Sequence, residues 1–431
     1  MEVARPETIR AEITVPPDKS ISHRGLMLNA IADGEARVDN LLESEDIRST
    51  QRCLQALGAE IDWPEGTSTA IVRGKGLHGL FESDDVLDCG NSGTTMRLLS
   101  GLLAGNPLLS ILTGDASLRR RPMARIIRPL RQMGAALYGR KGDTVPPIVI
   151  KGGNLRGISY ESPVASAQVK SAVLFAGLYA DGRSEVIEPS ATRDHTERML
   201  AAMGAAIDYG PGRARIDPGV GLRAVDVQVP GDISSAAPWL VLAACHPDAE
   251  ICLRNVNINP TRTGILDILR DMGADVELAD ERISGGEPVA DIFVRSSKLR
   301  ATEVGGDLIP RAIDELPLVA VLAAHAEGTT TVRDAAELRV KESDRVEAVA
   351  TVLGRMGAKL RARDDGFAVV GPTPLHGAKV DAEGDHRIGM LAAIAGSLAE
   401  GETRVEDDAV GVSYPAFWHE LARASGTGVN A

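Results

Sequence analysis

The chain has 431 residues, a net charge of −13 at pH 7, and a composition that is 44% hydrophobic but only 3% aromatic. A single hydrophobic core stops growing at about 250–300 residues, so the length predicts two domains with aliphatic cores. Nucleic acids and anionic membranes need a broadly basic face, and the acidic total excludes both as partners of the whole surface. The longest apolar runs, such as Ala172 to Ala180, fall short of the roughly 20 residues that span a membrane.

Cysteine usage and the N-terminus indicate a cytoplasmic protein. The cysteines, at positions 53, 89, 245 and 252, are too few and too scattered for a disulfide framework, and no Cys/His group has the spacing of a zinc site. Met1 to Thr8 contains no apolar segment of a signal peptide. We therefore expect a reducing compartment and no metal.

A helical pattern that ends in Gly-Ala repeats along the chain at intervals of about 70 to 84 residues. Glycine follows the last turn of a helix where the chain adopts a left-handed conformation, so each Gly predicts a helix C-terminus. The segments are Asp46 to Ala59, Ala124 to Ala135, His195 to Ala205, Thr263 to Ala274, Asp344 to Ala358 and a degenerate sixth copy, Phe417 to Gly426.

A second set of helices, richer in alanine and leucine, alternates with the first. Its members are apolar on nearly every side, which is typical of buried helices. Each is followed by a short predicted strand, such as Ala36 to Asn40, Ser184 to Ile187 or Thr330 to Asp334. The helices are Ser20 to Ala32, Thr94 to Ala104, Ala167 to Ala180, Ser235 to Ala244, Glu315 to Ala326 and Arg387 to Ala399. The sequence thus predicts an α/β unit of two helices and several strands, used six times.

Two similar segments mark where the domains join. Ile13 to Ser20 and Val227 to Ser234 have the same pattern of apolar residues, Pro, Asp and Ser, and they start 214 residues apart. We interpret them as linkers, with crossovers near 16–20 and 230–234. One domain of three units then spans 20–231, and the other combines 1–19 with 232–431.

All six buried helices begin with small or polar residues that can cap a helix or bind a ligand. Ser20 is expected to cap the first of them, with Lys19 and Arg24 nearby. If the three buried helices of a domain are parallel, their N-termini converge, and converging N-termini attract anions. At any single site, simple capping also explains these residues. The other starts are Asn91 to Thr94, Ser166 to Gln168, Ser234 and Ser235, Asp314 and Glu315, and Asp385 to Arg387.

Basic residues collect at the same end of the repeated units in spite of the acidic total. Arginine binds phosphate and carboxylate through two hydrogen bonds, so a substrate pair with several negative charges is implied. Besides Lys19 and Arg24, these residues are Arg119 to Arg121, Arg193, Arg387 and the cations of the run Arg339 to Arg345.

Asp314 is the candidate base of this site. It opens a buried helix, and Lys341 and Glu342 would lie beside it if the fifth and sixth units are adjacent. A carboxylate near an ammonium suits proton transfer, although Asp is also common at helix N-termini. Nucleotide-binding loops, nucleophile elbows and metal-binding helix motifs do not occur in the sequence. The pattern favours group transfer between small anionic metabolites.

Five segments of the chain carry motifs of one enzyme family. They are Pro17 to Arg24, Gly90 to Arg97, Arg120 to Met123, Leu338 to Arg345 and Asp385 to Arg387. In order and along nearly the whole chain, they resemble the 5-enolpyruvylshikimate-3-phosphate (EPSP) synthase family, the 3-phosphoshikimate 1-carboxyvinyltransferases. The resemblance implies a two-domain inside-out α/β barrel of six repeats with parallel buried helices. It also implies transfer of the enolpyruvyl group of phosphoenolpyruvate to the 5-hydroxyl of shikimate 3-phosphate, with no metal or organic cofactor.

The resemblance also assigns roles to individual residues. Lys19, Ser20 and Arg24 would contact both substrates. The phosphoenolpyruvate contacts would be Asn91, Gly93, Arg121, Arg345 and Arg387. The shikimate 3-phosphate contacts would be Ser166, Ala167, Gln168, Arg193 and Lys341. Asp314 would accept the proton of the 5-hydroxyl, and Lys341 and Glu342 are candidates for the other proton transfers.

Some residues depart from the commonest pattern of the family. Ala167 replaces the second Ser of Ser-Ser-Gln, and Val412 stands where many members carry Lys. These traits, with Thr192 to Glu197 and Asn259 to Gly264, resemble the glyphosate-tolerant branch. Gly93, by contrast, is typical of sensitive enzymes. The sequence leaves glyphosate tolerance open.

Three alternatives compete with this interpretation. The UDP-N-acetylglucosamine enolpyruvyl transferases resemble it in fold but carry a reactive cysteine in the loop that corresponds to Thr113 to Met123, where this chain has none. A non-catalytic pseudo-sixfold protein such as a DNA clamp would place its basic residues on helix faces. A degenerate ligand-binding relative remains open. We expect a monomer that binds the two small substrates and neither nucleic acid nor membrane.

Overall fold

A computed structural model describes residues 1–406 and 409–426, and the chain forms two compact units. The terminal unit comprises Met1–Pro16, Gly231–Arg282 and the chain from Pro288 onward, and the central unit comprises Pro17–Pro230 and Ile283–Glu287. The chain therefore passes between units near residues 16 and 230, and again at both ends of the short segment 283–287. No sequence pattern predicted this last excursion.

Six core helices, defined by their almost complete burial, lie within the described residues where the alanine- and leucine-rich segments predict them. In the central unit they are Lys19–Ala30, Gly93–Gly105 and Ala167–Gly177; in the terminal unit they are Ile233–Cys245, Leu316–His325 and His386–Gly396. In Leu316–His325 every residue except the last is buried. Within the described ranges, none of the helices combines the length and apolar character needed to cross a membrane.

Six outer helices alternate with the core helices along the described chain, and this prediction is confirmed as well. They are Glu45–Ala56, Ala124–Met133, His195–Ala202, Gly264–Asp271, Arg345–Arg355 and Phe417–Ser425. The glycine that follows each helix has a positive φ, which confirms the expected left-handed ends. These residues are Gly58, Gly134, Gly204, Gly273, Gly357 and Gly426. Shorter helical turns occupy Leu118–Arg120, Arg140–Asp143, Leu308–Ala312, Ala336–Val340 and Val410–Ser413.

The described strands form six sheets, three in each unit, and five of these sheets have four strands. In the central unit the sheets are Val227–Gln228, Asp33–Asp39, Ala70–Lys75, Glu60–Asp62; then Leu87–Asp88, Leu109–Thr113, Val145–Lys151, Ala136–Gly139; then Ser159–Glu161, Ser184–Ile187, Arg213–Asp217, Ala206–Gly210. In the terminal unit they are Asp275–Ser284, Glu287–Arg295, Ala249–Asn257, Ile9–Ile13; then Glu303–Val304, Gly328–Val332, Gly366–Gly371, Lys359–Arg363; then Glu2–Ala4, Glu402–Glu406, Lys379–Asp381.

Two of the sheets take a parallel edge strand from a distant part of the sequence. Ile9–Ile13 precedes the core helix Lys19–Ala30 but pairs in parallel with Ala249–Asn257 of the terminal unit. Val227–Gln228 in turn pairs in parallel with Asp33–Asp39 of the central unit. In the other sheets, the edge strand pairs with the strand that follows the next core helix along the chain. The exchange occurs at the two places where similar sequence segments were found.

Each unit has its own hydrophobic core, and both cores are mostly aliphatic, as the composition predicts. The largest aromatic group lies in the terminal unit, where Trp239, Tyr414 and Phe417 pack with ring centroids between 5.5 and 6.5 Å apart. With few aromatic side chains, close packing of aliphatic helices has to supply most of the burial.

The second and third core helices of the central unit pack backbone against backbone. A Cβ atom on Gly101 would lie 2.3 Å from the carbonyl oxygen of Ala172, so only glycine fits there. Four residues earlier on both helices, Arg97 contacts Gln168. The contacts advance together along the two helices, so the helices are parallel and their N-termini lie side by side.

One glycine inside an outer helix and one just after it provide a test of where that helix ends. Gly357 follows Arg345–Arg355 with a φ of +93°, whereas Gly354 lies exposed inside the helix, where an added Cβ meets no atom within 4 Å. We predict that Gly357→Ala lowers the free energy of unfolding by about 1 kcal/mol, because a side chain disfavours left-handed backbone. Gly354→Ala should raise it by about 0.5–1 kcal/mol through helix propensity. Denaturant unfolding of both variants checks the opposite signs, and equal signs would contradict the assignment.

Candidate active site

In the central unit, Arg24 connects the first core helix to the third. Its Nε donates to Thr196 Oγ1 at 2.6 Å, its Nη2 to Ser171 Oγ at 3.0 Å, and its Nη1 to the carbonyl oxygen of Ser20 at 2.8 Å. The side chain is almost fully buried, and burial lowers the pKa of Arg24 to about 10. Arg24 therefore remains a cation at neutral pH, held in one orientation by hydroxyl and carbonyl acceptors.

The cap of the first core helix differs from the prediction. Asp18 is the N-cap residue, and its Oδ1 accepts a hydrogen bond from the backbone N–H of Ile21 at 2.9 Å. The expectation that Ser20 caps this helix was wrong, because the helix begins one residue earlier, at Lys19. Lys19 forms an ion pair with Asp46 of the first outer helix. Burial raises the pKa of Asp46, but Lys19 and the other cations nearby outweigh burial and bring that pKa below its ordinary value.

Asn91 and Gly93, at the start of the second core helix, lie beside two guanidinium groups. Asn91 Nδ2 donates to Asp115 Oδ2 at 2.6 Å, and Asn91 Oδ1 accepts from Arg121 Nη2 at 2.9 Å. A Cβ atom on Gly93 would lie 3.1 Å from Arg97 Nη1 and 3.4 Å from Arg121 Nη1. The lack of a side chain at position 93 thus leaves space in front of both guanidinium groups.

Gln168 links the starts of the second and third core helices. Its Oε1 accepts from Arg97 Nη1 at 2.6 Å, and its Nε2 donates to Thr94 Oγ1 at 3.0 Å. Ser166 is the N-cap residue of the third core helix, but its side chain makes no capping hydrogen bond. Ala167 begins that helix, and both residues are half-buried.

Arg193 lies in the loop before the outer helix His195–Ala202 and is half-buried. Burial lowers the pKa of Arg24, and the positive charge of Arg193 lowers it further. The two guanidinium groups are therefore electrostatically coupled within the central unit. Such a pair of cations favours a shared anion.

In the terminal unit, Arg345 is surrounded by three carboxylates. The side chain is 1% exposed, and it bonds Asp385 through Nε at 2.8 Å and Glu342 through Nη2 at 2.7 Å. Its Nη1 lies 3.5 Å from Asp314 Oδ1 and has no hydrogen-bond acceptor within the described part of the chain. Burial lowers the pKa of Arg345, but the three carboxylates outweigh burial and raise it above its ordinary value.

Asp314 lies within 4 Å of three arginines. Besides Arg345, these are Arg387, whose Nη2 is 3.7 Å from Asp314 Oδ2, and Arg262, whose Nη1 is 3.9 Å from the same oxygen. Asp314 precedes the core helix Leu316–His325, while Arg387 lies in the first turn of His386–Gly396. The starts of these two core helices therefore meet at the Asp314 carboxylate.

Glu315 connects this cluster to the start of a third core helix, Ile233–Cys245. Its Oε1 accepts a short hydrogen bond from Ser234 Oγ, and Ser234 also accepts from Arg262 Nη2 at 2.8 Å. Asp232, the N-cap residue of the helix Ile233–Cys245, bonds the same Arg262 nitrogen at 3.0 Å. Burial raises the pKa of Glu315, and the neighbouring Asp314 raises it further.

Glu342 joins this cluster through its hydrogen bond with Arg345. Lys341 forms its ion pair with Glu337 instead of with a carboxylate of the cluster. Lys341 Nζ lies 3.3 Å from Glu337 Oε1, one helical turn back. Burial raises the pKa of Glu342, but the Arg345 guanidinium outweighs burial and leaves that pKa below its ordinary value. Val412, where many members of the similar family carry Lys, is 65% exposed.

Several polar residues that complete these clusters were given no individual role at the site by the sequence analysis. They are Asp18, Asp46, Arg97, Arg262, Glu315 and Asp385. Most lie within or beside the motif segments, so proximity in sequence was a usable signal. Asp46 gave no such signal, because the first turn of an outer helix often carries an acid for helix stability alone. Within residues 1–406 and 409–426, no group of three or more His, Cys, Asp or Glu side chains could hold a metal ion.

Comparison with known proteins places the chain in one family. The family model for EPSP synthase, 3-phosphoshikimate 1-carboxyvinyltransferase, matches residues 3–421. A 3-phosphoshikimate 1-carboxyvinyltransferase of Desulforudis audaxviator is 53% identical over 414 residues, 96% of each chain. One of Geobacillus kaustophilus is 52% identical over 417 residues, 96% of this chain and 97% of the other.

A solved structure agrees with these sequence relatives. The 2.37 Å structure of EPSP synthase from Acinetobacter baumannii superposes with a TM-score of 0.91 at 43% identity and covers 99% of this chain and 98% of that one. Sequence and fold thus agree over essentially the whole length. The chain belongs to the EPSP synthase family of 3-phosphoshikimate 1-carboxyvinyltransferases.

Proposed function

We propose that the two clusters of charged helix starts, one in each unit, act on the same pair of substrates. As a 3-phosphoshikimate 1-carboxyvinyltransferase, the protein transfers the enolpyruvyl group of phosphoenolpyruvate to the 5-hydroxyl of shikimate 3-phosphate and releases phosphate. This reaction belongs to the shikimate pathway of aromatic amino acid biosynthesis. Both substrates are anions, so fixed cations at the helix starts can bind them.

The proposed binding roles follow the grouping of the side chains. Lys19, Ser20 and Arg24 contact both substrates. Phosphoenolpyruvate binds Asn91, Gly93, Arg121, Arg345 and Arg387, and shikimate 3-phosphate binds Ser166, Ala167, Gln168, Arg193 and Lys341. Two facts support this division: the Gly93 position lies open before two guanidinium groups, and Arg345 Nη1 lacks a hydrogen-bond acceptor within the described chain. Each feature suits a carboxylate or phosphate oxygen.

The proposed chemistry is a proton-coupled addition followed by elimination. Asp314 accepts the proton of the 5-hydroxyl while that oxygen bonds to C2 of phosphoenolpyruvate and C3 takes up a proton. Lys341 and Glu342 are the candidates for the proton transfers at C3. The tetrahedral intermediate then loses phosphate from C2 and a proton from C3, which restores the double bond. No redox change occurs, so acids, bases and fixed cations suffice for every step.

The observation that carries this assignment is the Asp314 carboxylate within 4 Å of three guanidinium groups. Those cations favour the ionised form of Asp314, which can then accept a proton from a hydroxyl. In this proposal they also stabilise the negative charge that collects on phosphoenolpyruvate during the reaction. An acid and several cations at converging helix starts therefore serve binding and proton transfer together.

Further features of the family complete the proposal. The two units are taken as two domains of three repeats each, arranged as an inside-out α/β barrel. The protein is a cytoplasmic monomer that works without a cofactor and binds neither nucleic acid nor membrane. The uncharged, exposed Val412, together with Ala167, supports a place in the glyphosate-tolerant branch, whereas Gly93 does not.

The alternatives from the sequence are disfavoured. The family match and the curated relatives carry the shikimate name rather than the UDP-N-acetylglucosamine one. A pseudo-sixfold clamp would not need carboxylates and arginines at buried helix starts. A degenerate binding relative would not need to keep Asp314 among three arginines.

Asp314 can be tested with an isosteric change. We predict that Asp314→Asn lowers kcat by about 10²- to 10⁴-fold, because the amide cannot accept the hydroxyl proton. Initial rates of phosphate release with both substrates present measure the effect. Asp307→Asn, the same change at an exposed aspartate of the same unit, is the control and should keep wild-type kcat. Wild-type kcat in a folded Asp314→Asn variant would remove Asp314 as the base.

The space at Gly93 can be tested with glyphosate, an inhibitor longer than phosphoenolpyruvate. We predict that Gly93→Ala raises its inhibition constant by at least about tenfold, because the new methyl group would lie 3.1 Å from Arg97 Nη1 and narrow the anion site. Inhibition competitive with phosphoenolpyruvate is the measurement. Gly354→Ala is the control, since its Cβ meets no atom within 4 Å. An unchanged inhibition constant in Gly93→Ala would contradict this role of the open position.

A further inference from the structure

A buried lysine lies between two carboxylates in the central unit, apart from the residues assigned to the reaction. Lys170 Nζ is 2.9 Å from Glu188 Oε2 and 2.8 Å from Glu197 Oε1. The exposed fractions of the three side chains are 4%, 0% and 2%. Burying two carboxylates against one ammonium is costly, so such a cluster calls for a reason beyond stability.

The cluster fixes Thr192 through both its backbone and its side chain. Lys170 Nζ donates to the carbonyl oxygen of Thr192 at 3.3 Å, and Thr192 Oγ1 donates to Glu188 Oε1 at 2.6 Å. Thr192 is itself buried. The residue that follows it is Arg193.

The other side of Arg193 is fixed as well. His195 Nδ1 lies 2.8 Å from Glu287 Oε1, and both side chains are buried in the central unit. Arg193 thus belongs to a short stretch, Thr192 to His195, whose two end residues each have a buried anionic partner. A loop arginine has many rotamers and backbone states, and fixing its neighbours lowers the entropy that it loses on binding an anion.

The same cluster connects to Arg24. Glu197 follows Thr196, whose hydroxyl accepts from Arg24 Nε at 2.6 Å and lies 2.7 Å from Ser171 Oγ. Ser171 in turn follows Lys170. The ion pair between Lys170 and Glu197 therefore holds together the third core helix and the outer helix that supply the two hydroxyl partners of Arg24.

We infer that Lys170, Glu188 and Thr192 are positioning residues that hold Arg193 in the orientation that binds the phosphate of shikimate 3-phosphate. The inference rests on the proposed role of Arg193. Because Thr192 acts through the neighbouring Arg193, loss of its hydroxyl changes the affinity for shikimate 3-phosphate rather than the chemical step. A purely structural cluster would change stability without favouring one substrate.

Thr192→Val tests the inference with little change in shape, because it removes the hydroxyl and keeps a branched side chain. We expect the KM for shikimate 3-phosphate to rise about fivefold, since the hydroxyl bonds a buried carboxylate. The KM for phosphoenolpyruvate and kcat should stay within about twofold of wild type. Thr192→Ser restores the hydroxyl and should restore the KM, and thermal unfolding shows that each variant is folded.

A double-mutant cycle with Arg193→Ala separates this inference from the proposed function. In the Arg193→Ala background, Thr192→Val should have no further effect on the KM for shikimate 3-phosphate. If Arg193→Ala raises that KM but Thr192→Val leaves it at the wild-type value, the positioning role is overturned and the proposed role of Arg193 stands. If Arg193→Ala itself leaves that KM unchanged, both are overturned. Equal KM increases for both substrates in Thr192→Val would also contradict the inference.

Discussion

The starts of three core helices meet within each unit, and the rest of the structure depends on this constraint. Every helix N-terminus brings unpaired N–H groups and partial positive charge, so placing several together creates a field that must be balanced by anions. In the terminal unit, protein carboxylates balance it: Asp385 caps one helix and bonds Arg345, and Glu315 bonds Ser234 of another. An anionic substrate therefore joins protein carboxylates that already balance the positive charge of the helix starts and arginines.

Pairing of charges within each unit explains how such a site stays folded without substrate. Arg345 is fully buried, and a buried guanidinium without counterions would cost several kcal/mol. Its three carboxylate neighbours offset that cost. Asp385 and Glu342 pair with Nε and Nη2, and Nη1 points toward Asp314. In the central unit hydroxyls rather than carboxylates hold Arg24, through Thr196 and Ser171. The two units therefore fix their arginines by different chemistry.

Helical periodicity and end signals predicted the helices well, because aliphatic burial and left-handed glycines are local properties of the sequence. The six Gly residues that follow the outer helices, from Gly58 to Gly426, all have positive φ. The cap at Asp18 was missed because Asp and Ser are both good caps two residues apart, and only the backbone decides between them. The excursion of residues 283–287 into the central unit had no local signal, because it depends on long-range pairing. The exchange of the strands Ile9–Ile13 and Val227–Gln228, by contrast, occurs beside the two similar segments of the sequence.

The candidate site was predictable as a set of motifs but not as a set of contacts. Resemblance to a family assigned Asp314 and Arg345 to one site, and the structure adds that Arg262 shares Asp314 with Arg345. Lys341 illustrates the opposite case, since its ion pair is with Glu337 and not with the candidate base. Side-chain partners of charged residues depend on which rotamers the tertiary structure allows, and sequence spacing does not specify them.

The most direct test of the proposed reaction is phosphate release by the wild-type protein when it is mixed with phosphoenolpyruvate, with shikimate 3-phosphate, or with both. We expect release only when both substrates are present, in an amount equal to the enolpyruvyl ether that is formed. Release from phosphoenolpyruvate without shikimate 3-phosphate, or no release from folded protein with both, would contradict the mechanism.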